Sequence, residues 1–234
     1  MYKILTQFIG FILLVYKRME KIYGLNYCVR TNNFGFPLSL SPSGGHREIV
    51  KSVFDSKKII FILVGLPGCG KSTFANNLVE AVRTQNPSAP SLIRISQDDV
   101  GTRKRVIKTA DNHLAAGGSV IIDRCNFSFT QRKYFTDLAR SHRASTVCVQ
   151  LPNFDDVIYC SNRAILRGND GVHTPDTDWF AVCSRVYSEL QPPNTLNEDI
   201  DHLIVLAKEA ELDALSFLHR LNEVFMNQNL GERQ

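Results

Sequence analysis

Residues 61–73 read FILVGLPGCGKST, four apolar residues that break into glycines and close on Lys-Ser-Thr. Within it, Gly65-Leu66-Pro67-Gly68-Cys69-Gly70-Lys71-Ser72 matches the pattern G-x-x-x-x-G-K-[ST]. The apolar run before it suits a strand buried on both faces, and KSTFANNLVEAVRT after it has helical spacing, with Phe74, Leu78 and Val82 on one side. A strand, a glycine turn and a helix in that order make an anion site. Gly65, Gly68 and Gly70 let backbone N–H groups curl round phosphate oxygens, and the helix start adds its positive end. Lys71 supplies charge to the outer phosphates of a nucleotide, Ser72 a hydroxyl for Mg2+, and Thr73 continues the same first turn.

Working outward, the chain alternates. After the helix come a strand SLIRIS, a helix TRKRVIKTADNHLAAGG, a strand SVIID, a helix TQRKYFTDLARSH and a strand STVCVQLP. Then follow a helix DDVIYCSNRAILRG, a polar loop NDGVHTPDTD, a helix WFAVCSRVYSEL, a strand HLIVLA and a terminal helix ELDALSFLHRLNEVF. Five strands interleaved with helices predict an α/β fold of the P-loop NTPase type, three layers α/β/α, with a mostly parallel five-stranded sheet and a helical lid. This domain is expected over residues 56–230, preceded by an apolar segment and loop over 1–55.

The bulk properties bound the rest. A chain of 234 residues with 44% hydrophobic and 21% charged content is long enough for one well-buried domain with short additions. A formal charge of +4 permits a polyanionic partner without demanding one. The six cysteines, Cys28, Cys69, Cys125, Cys148, Cys160 and Cys183, include no C-x-x-C pair and several sit in apolar runs. That usage argues against a disulfide scaffold and for a reducing compartment, nucleus or cytoplasm, with a mitochondrial leader left open. The apolar stretch Ile4–Tyr16 is too short to span a bilayer as a helix, so no stable membrane association is expected. It reads as a tail packed on the domain, a weak targeting segment, or a stretch upstream of a start at Met19. Residues 31–46, rich in Asn, Gly, Pro and Ser, read as a loop.

Ligands of open parallel sheets sit beyond the carboxyl ends of the strands. Asp98 and Asp99 follow the strand SLIRIS there, and either can accept a proton from a hydroxyl that attacks a phosphate, while the other caps the next helix. Asp98 is taken as the base. The strand SVIID closes on Asp123, placed as a magnesium carboxylate or as the partner of Arg124 or Lys71, and Asn126 follows at the same rim. Arg163 and Arg167, four apart on one helical face, can close over transferring phosphates.

The combination of GLPGCGKSTF, SQDDVGTRKRV, SVIIDRCN and NRAILRG resembles the kinase domain of polynucleotide 5′-hydroxyl kinases, as in the DNA-repair polynucleotide kinase/phosphatases and aprataxin-linked kinase-like domains, over about residues 58 to 207. The resemblance implies transfer of the γ-phosphoryl of ATP to the 5′-hydroxyl of DNA or RNA, with nucleic acid as substrate and ATP and Mg2+ as cofactors. Lys71, Asp98 and Arg167 would be catalytic. Gly65, Gly68, Gly70, Lys71, Ser72, Thr73, Arg163 and Arg167 would hold the nucleotide, and Ser72 and Asp123 the metal. The D-x-D-G-T phosphatase signature and the H-x-H-x-H triad of multidomain relatives are missing from this sequence.

Charge distribution bears on the same point. Between Ser91 and Ser145 ten Lys and Arg residues face five Asp residues, so basic charge gathers in the half that supplies the acceptor rim. Arg103, Lys104, Arg105, Arg124 and Asn126 are the expected nucleic-acid contacts. A small-molecule kinase of the same superfamily, and a weakly catalytic nucleotide-dependent nucleic-acid-binding protein, are the two rival readings.

Overall fold

The computed structural model describes residues 27–31, 37–42, 45–55, 57–87, 91–167 and 176–231. The chain divides into two compact units, Met1–Glu48 and Ile49–Gln234. In the first, β1 (Tyr27–Thr31) and β2 (Pro37–Pro42) pair antiparallel, with Val29 opposite Leu40. The stretch 31–46, read from composition as a loop, thus holds a strand; its prolines sit at the strand's two ends, where a missing N–H is tolerated. The apolar segment at residues 1–26 and the core of the polar loop, residues 168–175, lie outside the described residues.

Helix α1 (Gly45–Phe54) runs into the second unit, where its Val50, Val53 and Phe54 are buried. The central strand β3 (Ile59–Val64) is buried at every position. Because side chains alternate along a strand, Ile59, Phe61 and Leu63 enter one apolar layer and Ile60, Ile62 and Val64 the other. The first layer is closed by α1, by α2 (Lys71–Gln85) and by α8 (Ala214–Gly231), where Phe74 and Phe217 meet edge to face at 5.0 Å. The second is closed by α4 (Arg103–Ala115) and α5 (Phe129–His142) through Val106, Ala110 and Phe135.

The sheet order is β4-β5-β3-β6-β7, with β4 (Leu92–Ser96), β5 (Ser119–Asp123), β6 (Ser145–Gln150) and β7 (His202–Val205), and every pairing is parallel. Three further helices, α3 (Gln97–Val100), α6 (Val157–Arg167) and α7 (Trp179–Ser188), lie after β4 and β6. This is the three-layer parallel sheet that the alternation predicts. It brings the ends of β3, β4 and β5 side by side.

A charged pair is built into the interior. Arg132 on α5 is fully buried, its Nε and Nη2 donate to the Glu198 carboxylate at 2.7 and 2.6 Å, and its Nη1 donates to the Asn126 carbonyl at 2.9 Å. A bidentate pair of this kind is costly to break one-sidedly, because the survivor stays buried and unpaired. Arg132→Ala is therefore expected to lower the unfolding free energy by about 3–5 kcal/mol in a urea titration. A loss under about 1 kcal/mol would show that the pair contributes no more than a surface bridge.

Candidate functional site

The turn after β3 is fixed by the loops that follow β5 and β6. Gly65 N–H donates to the Cys125 carbonyl at 3.2 Å and Leu66 N–H to the Phe154 carbonyl at 2.9 Å. Gly68 takes φ 89, and a Cβ there would lie 2.1 Å from the Cys160 carbonyl oxygen, so only glycine lets the loop pass α6. Gly70 is the N-cap of α2 and offers no side-chain cap, and the first turn of that helix carries no acidic residue. Its leading N–H groups are thus directed at whatever anion the loop holds. The Lys71 ammonium, 8% exposed, donates to the carbonyls of Gly65 at 2.9 Å and Leu66 at 2.7 Å and approaches Cys69 Sγ at 3.6 Å. Burial alone would lower its pKa, but the Cys125 and Cys69 sulfurs and the Asp123 carboxylate outweigh it and hold the pKa above the usual lysine value. It is a fixed cation.

A cleft of about 590 Å3 opens over this loop. Gly68, Gly70, Lys71, Ser72 and Thr73 line one side, Asp98, Asp123 and Arg124 the rim, and Arg163 and Arg167 the lid, so most of the expected site residues come together. Asp98 stands in the cleft; Asp99 does not line it, and instead accepts from Arg94 Nη1 at 3.0 Å. The capping role expected of one aspartate falls elsewhere. Ser96 accepts from Asp98 N–H at the start of α3, and Thr102 from Arg105 N–H at the start of α4. Arg94 Nε also donates to Asp123 at 2.6 Å, so the partner of Asp123 is Arg94, not Arg124 or Lys71.

Asn126, expected as a rim contact, is fully buried. Its amide Nδ2 donates to the main-chain carbonyls of Leu63, Ile122 and Arg124 at 2.8, 3.3 and 3.3 Å, so it shapes the rim from beneath and does not line the cleft. Arg124 does line it. Burial pushes the Arg124 pKa below the ordinary value; Arg103 adds to that, while Cys125 and Asp98 oppose it. Arg103, Lys104 and Arg105 are exposed on the first turn of α4 outside the cleft lining, with the Arg103 guanidinium 4.3 Å from the Tyr134 ring centroid.

On the lid side the Arg163 guanidinium lies over the loop, 3.7 Å from where a Gly70 Cβ would stand, and Nη1 donates to Tyr159 Oη at 2.7 Å and Glu209 at 3.3 Å. Arg167 lies 5.9 Å from the Trp179 ring centroid. Sequence reasoning missed several lining residues, among them Gln97, Phe127, Gln131, Leu166 and Trp179. Arg94 carried a usable signal: it is the one charge within the strand LIRIS.

Comparison with known proteins finds relatives for the domain that carries this cleft. A family model described as an AAA domain matches residues 60–164. A bifunctional polynucleotide phosphatase/kinase of Schizosaccharomyces pombe is 30% identical over 143 residues, covering 61% of this chain and 30% of that protein. Residues 60–164 lie in a P-loop kinase-like domain similar to those of polynucleotide kinases. The Arabidopsis thaliana transcription factor bHLH140 is 29% identical over 164 residues, 68% of this chain and 17% of its own length. The chain thus spans less than a third of these relatives. Among solved structures, Chaetomium thermophilum Kti12 in complex with ADP-AlF3 superposes with a TM-score of 0.50 at 18% identity over 72% of this chain and 97% of that one. A putative kinase from Chloroflexus aurantiacus gives 0.51 at 17% identity over 72% and 98%. These two share the fold of the kinase-like domain.

The close passage of the loop past α6 can be separated from simple backbone strain. Gly117 has the same φ of 89 as Gly68, but a Cβ there would meet nothing within 4 Å. Gly117→Ala is expected to cost about 1–2 kcal/mol of stability from conformation alone, and Gly68→Ala about 2–5 kcal/mol because a carbonyl must also move. Equal losses for the two variants in urea titrations would remove the contact as a cause.

Proposed function

We propose that the chain is an ATP-dependent phosphotransferase that passes the γ-phosphoryl group to the 5′-hydroxyl of a nucleic-acid end. The observation that carries this reading is that Asp98, Lys71 and Arg167 line one cleft. A carboxylate for the acceptor and two cations for the donor phosphates thus share one cleft, as in-line transfer requires. The residues fit a nucleotide: an uncapped helix start, two left-handed glycines and a buried ammonium form an anion cradle. They also fit a magnesium ion, since Ser72 and Asp123 both line the cleft and Arg94 holds the carboxylate in place. Magnesium, when bound, supplies charge neutralisation between the outer phosphates.

In this reading Asp98 accepts the proton of the attacking hydroxyl. Lys71 and the loop N–H groups stabilise charge as it shifts towards the bridging oxygen, and Arg163 and Arg167 screen the cleft from water. The nucleic-acid side is supported by Arg103, Lys104 and Arg105, three cations crowded into the first turn of a helix, where the dipole disfavours them. A phosphate there would relieve both. Arg124 continues that track into the cleft.

One observation favours a small acceptor instead. Much of the basic charge between residues 91 and 145 is already neutralised: Arg94 by Asp99 and Asp123, Arg132 by Glu198, Lys133 by Asp137 and Arg140 by Asp199. A transfer assay with labelled ATP against 5′-hydroxyl DNA, 5′-hydroxyl RNA and a set of small hydroxylated metabolites separates the two readings. Label on nucleic acid is the expected result.

Two variant series extend the test. Asp98→Asn should lower kcat by about 10²–10⁴ with ATP still bound, and Asp99→Asn should be far milder. If the ranking reverses, the base is Asp99; if both stay active, neither is. Replacing Arg103, Lys104 and Arg105 together by alanine should raise the KM for the nucleic acid and reduce its salt dependence, with the KM for ATP unchanged. An unaltered salt slope would move the assignment to a small acceptor.

A further inference from the structure

Arg163 is the lid cation that already stands over the phosphate loop. Its Nη1 and Nη2 each lie 3.7 Å from where a Gly70 Cβ would be, whereas Arg167, one turn further on, carries its guanidinium towards the Trp179 ring. Three side chains meet at Arg163. The Tyr159 hydroxyl donates to the Glu209 carboxylate and accepts from Arg163 Nη1 at 2.7 Å, and Nη1 also donates to Glu209 at 3.3 Å. Neither bond uses Nη2, so this junction leaves the Nη2 hydrogens for an anion above the loop.

The two partners have separate supports. Tyr159 lies four residues before Arg163 on α6, the spacing that brings side chains together on one helical face, and its N–H donates to Asp156 Oδ1 at 2.9 Å. Glu209 opens a 3-10 turn, Glu209–Leu212, between β7 and α8. That turn is tied down without help from α6: Glu211 accepts from Ala207 N–H at 2.9 Å, and Leu212 packs against the first apolar layer. Arg163 is thus referenced both to its own helix and to the turn that follows the edge strand β7. A long side chain left without such supports would have to be ordered when an anion binds.

We infer that Tyr159 and Glu209 are positioning residues, which set Arg163 over the phosphate loop in advance of the anion and make it, rather than Arg167, the cation preset for the donor phosphates. The inference rests on the nucleotide reading above. Glu209 orients the Tyr159 hydroxyl, and the hydroxyl oxygen holds Nη1. The bond from Nη1 to Glu209 is the longer one, between side chains 39% and 58% exposed, so an incoming phosphate replaces it at little cost while the Tyr159 bond stays. The gain is entropic: the guanidinium is ordered before binding, not by it. Glu209 lies beyond residues 60–164, so the family match gives it no role.

The test is a titration of the full chain with a fluorescent ATP analogue, with a urea titration of each variant to check its fold. Glu209→Ala and Tyr159→Phe are each expected to raise the Kd about two- to tenfold, the loss expected when one long side chain must be ordered on binding. Glu209→Gln removes the same charge but keeps an oxygen for the Tyr159 hydroxyl, so it should bind at least as tightly as the parent. The effect of Glu209→Ala should vanish when Arg163 is already alanine and persist in full when Arg167 is. If the Glu209→Ala protein does not fold, Tyr159→Phe carries the same cycle. Additive losses in the Arg163→Ala background would show that Glu209 acts on the fold at large and overturn the proposal. Unchanged affinity in Glu209→Ala would overturn it too, as would tighter binding, which would mark the carboxylate as a competitor of phosphate. Coupling to Arg167 instead would overturn the choice of arginine. A parent that binds no analogue would sink the nucleotide reading and this inference with it, whereas a parent that binds leaves only the inference at stake.

Discussion

A single buried amide joins the strand ends on which the cleft is built. Asn126 sits at φ 45 with its Nδ2 donating to Leu63 at the end of β3 and to Ile122 near the end of β5. The two strands diverge beyond these points, one into the phosphate loop and the other into the Arg124-Cys125 rim, so unsatisfied carbonyls would otherwise face each other across the gap. The Asn126 carbonyl is held in turn by Arg132, and Arg132 by Glu198 just before β7. A chain of buried, hydrogen-bonded groups thus runs across the sheet, with Asn126 Oδ1 left without a partner among the described residues, and such networks specify one arrangement because each member is expensive to leave alone. Gly65 N–H closes the circuit by donating to Cys125 O, which places the first residue of the phosphate loop relative to the rim.

Above that scaffold the site is an alternation of charges. Lys71, Asp123, Arg94 and Asp99 follow one another in space, with Arg94 bonded to both carboxylates. The two pairs differ in worth. Asp123 is almost wholly buried at 3% side-chain exposure, whereas Asp99 is 62% exposed, so solvent screens the second bridge and leaves it little energy. The Arg94–Asp123 bond is the one that holds a carboxylate steady at the strand end. Asp98, between Arg94 and Asp123 in sequence, lines the cleft instead.

The parts of this arrangement that sequence made legible are local. The run Ile59–Val64, the glycine turn and the helix that follows are adjacent in the chain, and each residue's role follows from its immediate neighbours. The alternation of strands and helices is equally local, which is why the sheet and its helices could be read. Asn126 was misjudged for the opposite reason: an asparagine just after a strand reads as a rim contact, and the Leu63 carbonyl that its amide bonds lies 63 residues away in sequence. Helix caps failed in the same way on a small scale: Ser96 and Thr102 compete with Asp98 and Asp99 for one role, and the backbone, not residue type, decides between them. Composition was the weakest guide. Pro, Ser and Gly over 31–46 suggested a loop where strand β2 and the start of α1 are found.

The two lid arginines illustrate how pairing strength sets what can move. Arg163 is held by Tyr159 Oη and by Glu209, and Tyr159 Oη also bonds Glu209, so three side chains from α6 and the turn before α8 share one proton-rich junction. The ion pair is more than a third exposed on both sides, which leaves it worth a fraction of a charge-assisted bond to a phosphate in a closed cleft. A guanidinium held that weakly is poised to exchange partners: Glu209 stores its orientation without competing seriously with an anion over Gly70. Arg167, one turn further along the same helix, leans towards Trp179 instead, so its charge rests on an aromatic face at the cleft's far wall. The two cations therefore approach the loop from different supports, and closure over an anion would draw on both without breaking any bond of the buried network beneath.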